Sequence, residues 1–111
     1  MQAHLLFGST SVAWLDATAL LEQVLGRQFV LHDSDYRGGE YFRLEHEGVT
    51  LVLQRNFADE EGVLTESSHQ GVRLLLYLDG EAKSVEAISL AVVGGAASFH
   101  LLSEGTSRPN R

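Results

Sequence analysis

The sequence predicts an α+β two-layer sandwich, a mainly antiparallel sheet with two helices on one face. Three features predict it. Apolar residues recur at helical spacing in two segments, four short extended runs lie between those segments, and Glu47-Gly48 has the chemistry of a tight hairpin turn joining two of the runs. The expected order is β-α-β-β-β-β-α-β. Because strand–helix–strand crossovers are right-handed, both helices fall on one face and the other is left free.

Each element has its own signal. Ala3 to Phe7 is an apolar run that Gly8 closes, consistent with a buried strand. The Ser9-Thr10-Ser11 cluster offers helix N-caps, after which Trp14, Ala17, Leu21, Val24 and Leu25 share a helical face until Gly26 ends it. Phe29 to Leu31 is a second strand that runs into the loop HDSDYRGGE. Tyr41 to His46 and Val49 to Asn56 form the hairpin, with Val49, Leu51 and Leu53 alternating with more polar neighbours. Asn56 to Gln70 is acidic and aperiodic, so it reads as a long surface loop of the kind that often carries function. Val72 to Leu78 is the most apolar run and is expected centrally, with Leu74, Leu76 and Leu78 facing the helices and Asp79-Gly80 ending it. Val85, Ile88 and Val92 mark the second helix, ahead of Gly94-Gly95. Ser98 to Leu102 is the last strand. The expected domain is residues 1–104, followed by a polar tail at 105–111 that frays.

A chain of 111 residues suits one domain, and 44% hydrophobic against 21% charged residues is an ordinary globular composition. With no cysteine there is no disulfide, thiolate metal site or cysteine nucleophile. The first residues, MQAHLLFGST, lack the basic start of a secretory signal, and no run approaches the roughly 20 apolar residues that span a bilayer. A cytoplasmic location is the expectation. The net charge of -7 argues against nucleic acid or an anionic membrane as partner and favours a basic protein. Most of that charge is central: from Asp33 to Glu66, nine acids face three arginines, a balance of -6.

No segment spells out a reaction. His4, His32, His46, His69 and His100 are scattered, none at the spacing of a helical zinc site. The stretch from Asp33 lacks the acid that a calcium loop carries at its twelfth position, where Leu44 stands. The serines fall in no G-x-S-x-G or S-x-x-K motif, and Gly38-Gly39 suits positive φ at a turn better than a phosphate cradle. Glu45 and Glu47, two apart on an extended run, read as a solvated face. The expectation is no catalytic residue, no metal and no cofactor.

What remains is an interaction surface. Tyr36, Arg37 and Tyr41 are residue types enriched at interface hot spots, framed by Asp33, Asp35 and Glu40, which suit a partner's Lys and Arg. Phe42 is better read as a core residue of its strand. One loop is too small for a standard interface, so Asp59, Glu60 and Glu61 are expected to extend the same surface.

The segments DSDYRGGEYFRLE, LVLQRNFADEEG and RLLLYLDG, within residues 28–79, resemble the small acidic immunity proteins encoded beside bacterial contact-dependent growth inhibition toxins. That resemblance implies a protein without enzymatic activity that binds one cognate toxin domain, often a basic nuclease, and occludes its active site or substrate surface with an acidic face. A second resemblance is to one module of the glyoxalase and extradiol dioxygenase superfamily, across the strand–helix–strand–strand–strand order from Ala3 to Asn56. It implies a metal-binding histidine on the first strand, where His4 stands, and a glutamate on the last, where VTLVLQRN carries no acid.

Overall fold

The computed structural model describes residues 1–10, 13–34, 39–56, 71–95 and 99–107. The order is β1 (Gln2–Ser9), α1 (Trp14–Leu25), β2 (Val30–Ser34), β3 (Gly39–His46), β4 (Val49–Arg55), β5 (Leu74–Glu81), α2 (Ala82–Gly95) and β6 (His100–Ser107). The strands form one sheet in the spatial order β2-β3-β4-β5-β1-β6, antiparallel at every pairing. This is the expected α+β sandwich, with β5 in the interior.

Directly paired residues point to the same face, so the register sorts every side chain. Leu74, Leu76 and Leu78 of β5 join Phe7, Leu51, Leu53 and both helices, through Ala17, Leu21, Val85, Ile88 and Val92, in one core. Both helices therefore cover one face. The opposite face is not left bare as expected: Leu6, Val72 and Leu75 form a second buried cluster there, with Tyr77 and Leu102 against it.

Three glycines expected to end elements instead sit inside them. Gly8 is within β1, where a Cβ would come within 2.6 Å of Leu102 and 2.7 Å of Val72. The missing side chain makes room for that second cluster. Gly80 is within β5 because the β3–β4 turn crosses it, a Cβ there meeting the Gly48 carbonyl oxygen at 2.4 Å. Gly95 belongs to α2, and Val24 of α1 fills the space its side chain would take.

The turns follow sequence more closely. Glu47 and Gly48 both have positive φ, 53° and 79°, the backbone of a two-residue hairpin turn. Gly26 ends α1 in the left-handed conformation and donates its N–H to the Glu22 carbonyl oxygen. The Glu22 carboxylate then accepts the Phe29 N–H at 2.7 Å, which ties the helix to the entry of β2. The start of α1 differs from expectation: Ala13 is the N-cap, with no side-chain hydrogen bond, and Ser9 is a buried residue of β1. At the other end of the chain β6 runs on to Ser107 and pairs it with Gln2, so residues 105–107 are strand rather than tail. Its polar side chains gave no periodic signal, and backbone pairing with β1 holds it.

Candidate partner-binding surface

The described parts of the stretch from His32 to Phe42 are paired edge strands rather than loop: His32, Asp33 and Ser34 belong to β2 and Gly39 to Phe42 to β3. Gly39 opens β3 with φ of 100°, the positive value its position suggested. Asp35, Tyr36 and Arg37 lie outside the described residues, as do Asp59, Glu60 and Glu61. Of the residues expected at the partner-binding surface, Asp33, Glu40 and Tyr41 are described.

The pleat divides those three. Asp33 pairs with Glu40 and Leu31 with Phe42, so these four side chains point to the helix-bearing face. His32 pairs with Tyr41 on the other face, where the rings stack with centroids 5.3 Å apart. Phe42 packs on Trp14, at 4.9 Å between centroids, and on Phe29. As expected it is a packing residue. The Arg55 guanidinium lies over the Trp14 ring, 5.1 Å from its centroid, and this aromatic cluster fixes the hairpin base against α1.

Trp14 is the first residue of α1, so Leu15 and Asp16 come to the same margin. Leu15 is 67% exposed and Leu31 50%, and Leu31 shares its strand face with Asp33 two residues on. Neither was singled out in the sequence. Leu15 carried a usable signal, because it falls off the stripe that contains Trp14, Ala17 and Leu21, yet is apolar.

Ion pairing sorts the acids further. Asp79 accepts a 2.6 Å hydrogen bond from His4, Glu45 pairs with Arg43 at 2.7 Å, Glu81 lies 3.8 Å from the N-terminal amine, and Glu47 lies 4.0 Å from His46. Glu22 is engaged by the Phe29 amide. Among the described residues Asp16, Asp33, Glu40, Glu86 and Glu104 have no such partner. Asp16 is accounted for by the helix N-terminus, where a negative charge is favourable. Asp33 and Glu40 directly oppose each other across two strands, an arrangement that costs stability.

His4, the residue a metal centre would use, is held by Asp79 of β5, the strand that lies between β1 and β4. No group of three or more His, Cys, Asp or Glu among the described residues is placed to hold a metal ion. The donor set that the glyoxalase-like resemblance implies is not assembled there. No helix among the described residues is long and apolar enough to cross a membrane. Comparison with models of protein families, with curated proteins and with solved structures finds no match to the chain. The class that fold and site define is an α+β sandwich with an acidic, partly apolar edge.

Proposed function

We propose that this protein is a binding protein of the immunity type, which neutralises a cognate basic toxin domain by covering its active site or substrate surface and performs no chemistry itself. The observation that carries the reading is the Asp33–Glu40 pair: two carboxylates face each other on an edge hairpin with no cation among the described residues to neutralise them. Sequences keep a locally unfavourable arrangement where function uses it. A partner's Lys or Arg relieves the repulsion on binding, and the exposed Leu31, on the same strand face as Asp33, supplies apolar contact beside it. The central acidic balance of -6 adds to the attraction for a basic partner. In this reading the acids imitate the charge of the nucleic acid that a nuclease toxin binds, and the protein acts in the cytoplasm.

The test is to purify the C-terminal domain encoded by the adjacent open reading frame and titrate it with this protein by calorimetry. A stoichiometric complex that weakens with salt supports the reading. An adjacent frame that encodes no toxic domain, or a toxic domain that shows no heat of binding at 50 mM salt, contradicts it. A metal-dependent glyoxalase- or dioxygenase-like enzyme is the second reading, and the His4–Asp79 hydrogen bond is the feature it must explain.

A further inference from the structure

Of the other unpartnered acids, Glu104 is on β6, the opposite edge of the sheet, five strand spacings from β2 or on the order of 24 Å, and Glu86 of α2 lines a groove with it. They are on the same side of the sheet as Asp33 and Glu40, because Glu104 of β6 pairs with Leu5, whose neighbour Ala3 is in the helix-covered core. Between them is an open groove of about 550 Å³, with Ala3 and Leu5 of β1 as floor and Ala82, Val85, Glu86 and Ser89 of α2 as wall. The wall residues recur at helical spacing, so one stripe of α2 faces the groove, with Val85 at its base joining Ile88 and Val92 in the core.

We propose that this groove receives a lysine or arginine side chain of a partner protein. A basic side chain has two parts, an aliphatic stem that favours apolar surface and a cationic head that favours carboxylates. The groove offers both in order: an apolar floor, then Glu86 on the helix and Glu104 on the strand. Neither carboxylate has an ion-pair or hydrogen-bond partner among the described residues. A protein is the occupant rather than a free cation because exposed apolar side chains continue the surface. Val93 follows Ser89 by one helical turn and is 52% exposed, and Leu101, on the helix-bearing side of β6, is 46% exposed. The proposal rests on the reading of a basic protein partner and adds a second contact remote from the hairpin.

The experiment uses the whole chain labelled with ¹⁵N and three probes: the blocked peptide Ac-Leu-Lys-Leu-amide, its norleucine analogue, and spermidine. The lysine peptide is expected to shift the amides of Leu5, Glu86, Ser89 and Glu104 saturably in the millimolar range, and the norleucine peptide to bind at least fivefold more weakly. Glu86→Gln and Glu104→Gln should each weaken the lysine peptide about fivefold, as losing one exposed charge pair does, with the rest of the spectrum unchanged. Asp33→Asn with Glu40→Gln should leave this titration as it is, which separates the groove from the hairpin. Shifts spread evenly over the acidic surface, or unaltered in Glu86→Gln, overturn the proposal. Saturation by spermidine at a tenfold lower concentration than the peptide overturns the choice of a protein occupant.

Discussion

Replacing Glu40 with lysine should make the isolated protein more stable while removing its binding. Directly opposed residues in an antiparallel pair have Cβ atoms about 5 Å apart, and Asp33 and Glu40 are such a pair at an exposed edge. Two unit charges at about 5 Å in a water-like dielectric repel by about 0.8 kcal/mol, less once salt screens them. Glu40→Gln removes that repulsion and should gain about 0.5 kcal/mol. Glu40→Lys turns it into attraction, for a total change of about 1 kcal/mol, a few degrees in Tm for a domain of this size. Urea unfolding at 20 mM and 500 mM salt measures the effect, with the gain present at low salt and mostly lost at high salt. A Glu40→Lys protein that is less stable than the parent, or a gain that persists at 500 mM salt, would refute the cross-strand pairing of these carboxylates as the source of the strain.

Other consequences of the fold are open to equally direct measurement. Leu76 is fully buried between sheet and helices, so Leu76→Ala should cost about 2–5 kcal/mol in urea unfolding, and a loss below about 1 kcal/mol would mean that β5 is not central. Gly80→Ala sets a methyl group against the Gly48 carbonyl oxygen, backbone that cannot rotate aside, and should cost about 1–3 kcal/mol, whereas Gly71→Ala, with open space at the Cβ, should cost much less. Elemental analysis of the purified protein is expected to find no stoichiometric metal; one tightly held zinc, iron or nickel that is lost in His4→Ala would put the enzyme reading first.

Periodicity made most of the fold legible. The 3.6-residue recurrence placed both helices, the alternation through Leu74, Leu76 and Leu78 named the core face of β5, and Glu47-Gly48 fixed the β3–β4 turn. Glycine is ambiguous in sequence, because the residue that permits a turn is the same residue that permits close approach. At Gly8, Gly80 and Gly95 the reason is a neighbour from a distant part of the chain, which no local pattern encodes. Polar edge strands are ambiguous as well. β6 and the ends of the β2–β3 hairpin carry charges and small polar residues, as edges do to discourage unwanted pairing, and so they resemble loops. Reading the hairpin as a loop also hid its division between two faces. The composition named Asp33, Glu40 and Tyr41, while the register that sets the two acids together and turns Tyr41 away needed the structure.

Protection of growing cells tests the central claim most directly. The C-terminal domain encoded by the adjacent open reading frame, a toxin if the proposed function holds, is induced in a bacterial host that also expresses either the parent protein or the Asp33→Lys, Glu40→Lys variant, with soluble levels of the two matched by immunoblot. If the acidic hairpin is the surface that meets the toxin, the parent restores growth and the folded variant does not. Full protection by the double-lysine variant would contradict the account, because a basic toxin cannot depend on a surface that still works with its charge reversed.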